Sequence, residues 1–170
     1  MARLARCRHL RKLPRWSQAL RRLERLTDPD AMCGIAISVS FASSAATLRL
    51  PLLAHRGPDG SGEWRSPDRR CWLGHTRLAI LDLSANGAQP MIDSTTGNVI
   101  IFNGEIYNHL ELRETLKETQ HQWRSTSDTE TLLVAYARWG PGMLHRLKGN
   151  VAKLRSSMFS GAGTFRSILH

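Results

Sequence analysis

Small and apolar residues alternate from Cys33 to Ser40, with Ile35, Ile37 and Val39 on one side of the repeat; a period of two predicts a strand over residues 33–40. The spacing over residues 42–54 predicts a short helix ending near Pro51. His55-Arg56-Gly57-Pro58-Asp59-Gly60-Ser61-Gly62, with three glycines and a proline, predicts a loop. Apolar runs predict strands over residues 71–75, 78–81 and 99–102, the last running straight into Asn103-Gly104, and Asn86-Gly87 and Gln89-Pro90 mark turns. Two helices follow. Asn108 is placed to cap the first, with Glu111 three residues on and Leu110, Leu112 and Leu116 as its apolar positions. Ser127 is placed to cap the second, with Glu130 in the matching position and Leu132, Leu133, Tyr136 and Ala137 as its stripe. Gly140-Pro141-Gly142 stops it. Beyond Gly149 no period holds, and residues 151–170 are read as lacking regular structure. At the other end, residues 1–26 intersperse Leu4, Leu13, Leu20, Leu23 and Leu26 among arginines, the pattern of a basic amphipathic helix interrupted by Pro14.

Composition sharpens this division. The length of 170 residues suits one domain with tails. The net charge of +10 resides at the ends: +6 in residues 1–31, +1 in residues 32–148 and +3 in residues 149–170. It is therefore no argument that the central domain binds nucleic acid. Three parts are expected: a basic extension at 1–31, a domain at 32–149 and a divergent basic tail at 150–170. The extension suits an anionic membrane surface, a transit-like presequence or nucleic acid, and equally a plain solvated arm. No apolar run is long enough to cross a bilayer. Cys7, Cys33 and Cys71 are scattered without metal-ligand spacing, which points to reduced thiols, a cytoplasmic setting and no metal.

The candidate chemistry gathers in four polar clusters at strand ends: Cys33, His75-Thr76-Arg77, Asn103-Gly104-Glu105 and Ser127-Asp128. Each has a plain structural reading. Cys33 suits a buried strand, Arg77 a surface ion pair, Asn103-Gly104 a hairpin turn, and Asp128 the first turn of a helix. As a set they match the needs of carboxamide cleavage. A thiol attacks the carbonyl carbon, and an amide side chain plus the N–H of a following glycine hold the oxyanion. An arginine fork takes an α-carboxylate, and Glu105 and Asp128 take an α-ammonium. His55, His75, His109 and His121 show no partner, so no catalytic histidine is assigned. A cysteine behind a methionine adds one more element. If translation starts at Met32 and the methionine is removed, Cys33 carries its own base, an α-amine with a reference pKa of roughly 7.7–8.0.

The motifs in order resemble a known family: Cys33-Gly34-Ile35, the His55–Gly62 run, Gly74-His75-Thr76-Arg77-Leu78-Ala79-Ile80-Leu81-Asp82, Gly87-Ala88-Gln89-Pro90-Met91, Phe102-Asn103-Gly104-Glu105-Ile106-Tyr107-Asn108-His109 and Ser127-Asp128-Thr129-Glu130. Over about residues 32–149 the chain is similar to the glutaminase domain of glutamine-hydrolysing asparagine synthetase, a class II glutamine amidotransferase. The resemblance implies an α+β fold, the four-layer αββα sandwich of N-terminal-nucleophile hydrolases, incomplete here. It implies glutamine as substrate, with Cys33 as nucleophile and, through its α-amine, base. Asn103 and the Gly104 N–H would form the oxyanion hole. Arg77 would hold the glutamine carboxylate, backbone groups of Leu78, Ala79, Ile80 and Leu81 would line the pocket, and Glu105 and Asp128 would hold the ammonium. The ammonia released would serve ATP-dependent asparagine formation. It implies no cofactor in this chain, ATP and Mg belonging to a synthetase domain, and no nucleic-acid or membrane partner; a homodimer is compatible with it.

Three departures set further expectations. Residues 1–31 block the Cys33 amine unless absent or cleaved, and Met32 fits as the start. The segment between the first strand and His55 is short. The resemblance stops near Lys148-Gly149, which is the expectation for a truncated or frameshifted fragment. Such a half-sandwich would expose an apolar sheet face and hydrolyse glutamine weakly or not at all. The alternative to an enzyme is an inactive remnant, or a binding module anchored by its basic arm.

Overall fold

A computed structural model describes residues 32–41 and 44–149, with the backbone of two further strands at Arg155–Phe159 and Phe165–Leu169. The basic arm expected at residues 1–26 lies outside the described residues. Strands β1 (Gly34–Val39), β2 (Gly60–Arg65) and β3 (Cys71–Arg77) form an antiparallel sheet in the order β1-β3-β2. Strands β4 (Met91–Ile92), β5 (Val99–Asn103), β6 (Arg155–Phe159) and β7 (Phe165–Leu169) form a second antiparallel sheet in chain order. Helices α1 (His109–Thr115) and α2 (Asp128–Trp139) lie between β5 and β6 in the chain.

Strand alternation explains how these pieces stack. Cys71 and Leu73 of β3 meet Val99 and Ile101 of β5 in one apolar cluster, joined by Ile35, Ile37, Val39 and Trp64, so the two sheets pack face to face. The other face of β3 turns Trp72 onto Ala45 and Leu50. The other face of β5 turns Ile100 and Phe102 onto Leu112 and Leu116 from the α1 side and Leu132 and Leu133 of α2. β5 is buried along its whole length because both of its faces are covered, hence its unbroken apolar run.

Several sequence expectations are corrected. In place of a helix over residues 42–54 there is irregular chain at 44–49 and one 3₁₀ turn, Leu50–Leu53. Pro51 sits in its first turn, where a missing N–H costs nothing, so it starts the turn and does not end a helix. The expected loop at 55–62 gives up its last three residues to β2. Gly62 is there for close approach, since a Cβ on it would meet the Pro90 ring at 3.2 Å. β3 ends at Arg77, and residues 78–81 form no strand. Their donors go elsewhere: Leu78 N–H to the Cys33 sulfur, and Ala79 N–H to Asp59 Oδ2 at 3.0 Å.

Residues 155–159 and 165–169, read as irregular, are strands: β6 pairs with β5 from Val99↔Phe159 to Asn103↔Arg155, and β7 pairs with β6. The bare apolar sheet face expected of a half-sandwich is not found among the described residues. β3 and β5 are covered on both sides, and the most exposed large apolar side chains, Phe41, Leu52 and Tyr107, lie outside the strands.

The helix starts divide. Ser127 caps α2 by accepting from Thr129 N–H at 3.1 Å. Glu130 does not reach back to Ser127; it turns inward. Asn108 precedes α1 but makes no side-chain cap. Instead its amide clamps the chain before Gly149, donating to the Arg146 carbonyl at 2.9 Å and accepting from Lys148 N–H at 2.8 Å.

Candidate active site

Antiparallel pairing of Gly34 with Thr76 places Cys33, just ahead of β1, beside the end of β3. The contact is close because residue 34 is glycine. A Cβ there would press on Leu53 Cβ at 2.9 Å, whereas the bare backbone lets Gly34 N–H reach Thr76 Oγ1 at 3.1 Å. Thr76 in turn donates to the Leu53 carbonyl at 3.0 Å. Cys33 Sγ lies against Leu78: it accepts from Leu78 N–H at 3.3 Å and points its own proton at the Leu78 carbonyl at 3.7 Å. Arg56 Nε donates to the Cys33 carbonyl at 3.4 Å. Burial pushes the thiol up from its usual range, while the Leu78 N–H and the Arg77 charge pull it down and Asp128 pushes it up. The resting form is therefore the thiol, and a nucleophilic thiolate needs a base.

Alternation places the other expected groups on the same inter-sheet layer. Cys33 continues the Ile35, Ile37, Val39 side of β1; Arg77 continues the Cys71, Leu73, His75 side of β3; Asn103 continues the Val99, Ile101 side of β5. His75 is fully buried, and burial lowers its pKa to about 4, partly offset by the Phe102 backbone. Neither ring nitrogen of His75 makes a well-formed hydrogen bond among the described residues, and a pKa of about 4 leaves the ring too weakly basic to serve as a general base.

Arg77 is held by the turn that follows it: Nη1 donates to the Ser84 carbonyl at 2.8 Å and Nη2 to the Asp82 carbonyl. Two of its five N–H groups are thereby used to aim the rest. Asp128, the first residue of α2, is 5% exposed and accepts from Ile106 N–H at 3.1 Å. Burial raises its pKa to about 6, the Ile106 and Thr129 N–H groups oppose this, and the negative Glu105 nearby adds to it. Glu105 itself is exposed. Leu78 meets Cys33 directly, Ala79 is tied to Asp59, and Ile80 and Leu81 are half-exposed. The structure thus brings together Cys33, Arg77 and Leu78, links them electrostatically to Asp128 and Glu105, and sets Asn103 on the same layer.

Sequence reasoning missed the residues that hold this arrangement. Gln89, read as part of a turn, spans two elements: Oε1 accepts from Phe102 N–H at 2.6 Å and Nε2 donates to Thr129 Oγ1 at 3.1 Å. Arg113 of α1 donates to the Ser125 carbonyl at 2.9 Å, the Ser127 carbonyl at 2.7 Å and Thr131 Oγ1 at 2.8 Å, and stacks over Trp123. Glu130 is buried. Burial works against its charge, but N–H groups of Arg124 and Ser125, the Ser125 hydroxyl and His121 hold its pKa below the usual carboxylate range. His121, read as unpartnered, is 3.0 Å from that carboxylate. Only the three-residue spacing of Ser127 and Glu130 signalled any of this, and it pointed to the wrong acceptor role.

A family profile described as "Glutamine amidotransferase domain" matches residues 32–154. A "Probable asparagine synthetase [glutamine-hydrolyzing]" of Dictyostelium discoideum is 40% identical over 128 residues, 71% of this chain and 22% of that protein. "Asparagine synthetase [glutamine-hydrolyzing] 3" of Bacillus subtilis is 37% identical over 126 residues, 69% of this chain and 20% of that protein. "Amidase chry2" of Gibberella zeae is 37% identical over 103 residues, 61% of this chain and 15% of that protein. The chain spans about a fifth of the length of the synthetases it matches.

Proposed function

Since the chain belongs to the glutamine amidotransferase domain family, we propose that it hydrolyses glutamine to glutamate and ammonia through a cysteine thioester, the ammonia being intended for ATP-dependent asparagine formation; relatives named asparagine synthetase [glutamine-hydrolyzing] support the reading. The observation that carries this is the placement of Cys33 Sγ, held at 3.3 Å by Leu78 N–H next to Arg77 and electrostatically coupled to Asp128. Arg77 receives the α-carboxylate of glutamine, and Glu105 with Asp128 receives the α-ammonium. The backbone of Leu78, Ala79, Ile80 and Leu81 lines the pocket. The sulfur attacks the γ-carbonyl carbon, and Asn103 with the Gly104 N–H stabilises the oxyanion. The thiol proton passes through the Cys33 amine to the departing nitrogen, ammonia leaves, and a γ-glutamyl thioester remains. Water hydrolyses the thioester and restores the thiol.

The base in this scheme is an amine, and a peptide nitrogen has no basic lone pair. Cys33 is therefore the first residue of the active form, with residues 1–31 outside the functional domain and β6 and β7 completing its second sheet. The fold is taken to be the αββα sandwich of N-terminal-nucleophile hydrolases, with the outer layer over β3 reduced to residues 44–54. A cytoplasmic setting and a homodimer complete the proposal. Among the described residues no helix is long and apolar enough to cross a membrane, and the described thiols Cys33 and Cys71 are unbridged.

Glutamate release by the full chain is to be compared with release by a protein starting at Cys33. Activity in the Cys33-initiated form alone is the expected result. Activity in neither form would favour an inactive remnant. Equal activity in both would refute the amine as base.

A further inference from the structure

The groups proposed for the two charged ends of glutamine come from different parts of the chain. Arg77 ends β3, and Asp128 begins α2, fifty-one positions later in the sequence. An amino acid carries its carboxylate and ammonium on one carbon, so the two protein groups must be held at a matching separation. One residue touches the supports of both. The Asp82 main-chain carbonyl accepts from Arg77 Nη2. Its side chain reaches the other way, Oδ2 accepting from Thr126 N–H, two residues before Asp128, at 2.8 Å. Its second oxygen, Oδ1, accepts from Ser84 N–H and Ser84 Oγ, both at 2.7 Å, and the Ser84 carbonyl takes Arg77 Nη1 at 2.8 Å. Asp82 is 9% exposed, and Gly87 leaves room for this turn: a Cβ there would press on Asp82 Cβ at 3.1 Å and Arg77 Cζ at 3.2 Å.

We propose that Asp82 is a positioning residue for amino-acid recognition, a strut that sets the distance between the carboxylate-binding Arg77 and the ammonium-binding Asp128. The proposal rests on the site reading above. Its chemical basis is the number of acceptors. A carboxylate offers two oxygens, one committed to Ser84 and the Arg77 turn, the other to Thr126 and the approach to α2. An amide offers one acceptor oxygen and an NH₂ that only donates, so Asp82→Asn sets that NH₂ against one of those two sets of donors and releases one end of the strut.

The test is ligand affinity of the full chain, followed by calorimetry for L-glutamine and by NMR titration for two one-ended amides. These are 4-carbamoylbutanoate, which lacks the ammonium, and 4-aminobutanamide, which lacks the carboxylate. Asp82→Asn is expected to raise the Kd of L-glutamine about tenfold, the size of one weakened charge-assisted contact. The Kd of each one-ended amide should change less than about threefold, because a ligand with one charged end does not sense the separation. Ser84→Ala, which removes the hydroxyl bond to Asp82 and the cap the hydroxyl gives Asn86 N–H but spares the Arg77 contacts, should weaken L-glutamine in the same direction by less, and it carries the test should Asp82→Asn not fold. Equal weakening of all three ligands would mean general loosening and overturn the proposal, as would an unchanged Kd for L-glutamine in both variants. Arg77→Ala and Asp128→Ala separate the two levels. If neither the unsubstituted chain nor its Cys33-initiated form binds L-glutamine, or if these two variants bind it unchanged, the site reading fails and the strut with it. If both weaken binding while Asp82→Asn and Ser84→Ala do not, the strut alone fails.

Discussion

Asp128 is a buried carboxyl held in a site that disfavours its charge, and Asp128→Asn turns this into a measurable pH dependence. Its pKa in the folded chain is about 6, against an ordinary 3.8, and burial is the main cause. Between those two values the folded state binds more protons than the unfolded state, so stability falls as pH rises through that window. The difference corresponds to about 3 kcal/mol, present as stability below about pH 4 and lost by about pH 6–7. An asparagine does not titrate, and its Oδ1 can still accept the Ile106 N–H that Asp128 accepts at 3.1 Å. The stability of Asp128→Asn minus that of the unsubstituted chain should therefore grow by about 3 kcal/mol between pH 4 and pH 7. Part of that gain is relief from Glu105. Urea denaturation of both proteins across this range measures it. A difference that stays flat with pH, or shrinks as pH rises, refutes the account of Asp128 as a charge kept in the fold at a cost for the sake of a cationic ligand.

Three further outcomes follow from the same geometry. Because Asp128 must be ionised to take an ammonium, L-glutamine affinity should fall about tenfold from pH 7.5 to pH 5, as calorimetry at the two pH values would show. Burial raises Cys33 and holds Cys71 at about 11, so iodoacetamide at pH 7 should label Cys33 more slowly than an unstructured peptide thiol and Cys71 more slowly still; mass spectrometry of the time course checks both, and a Cys33 faster than the peptide would contradict the placement of its sulfur. Leu73 is fully buried between the sheets, so Leu73→Ala should cost about 2–5 kcal/mol in denaturant unfolding, and a loss under about 1 kcal/mol would mean that the sheets do not pack there.

Much of the site was legible in the sequence because its chemistry sits where strands stop. Cys33, Arg77 and Asn103 end or precede apolar runs, and a polar residue at the end of a buried run needs a reason. The alternation of Ile35, Ile37 and Val39 already placed Cys33 on a core-facing side, and Ser127 announced the start of α2. The supporting residues were not legible. Asp82, Gln89, Arg113 and Glu130 act on partners in other elements, between five and forty-four positions away, and nothing periodic marks such bonds. The misread segments share one cause. Residues 78–81 carry strand-like side chains, but the N–H groups of Leu78 and Ala79 go to Cys33 and Asp59. Residues 60–62 look like a loop because glycines mark turns, yet here Gly62 lets the chain near Pro90 approach a strand.

By itself, then, the sequence determined the elements whose order is local: the apolar runs that become β1, β3 and β5, the cap of α2, and the polar groups at their ends. These follow from side-chain period and capping, which act within a few residues. Tertiary structure alone decided where each backbone donor goes, which carboxylates are buried, and how Arg77 and Asp128, separated in the chain, both come to act on the Cys33 thiol. Those outcomes depend on the dielectric and the partners supplied by a second sheet and a second helix, and no short window of sequence contains either.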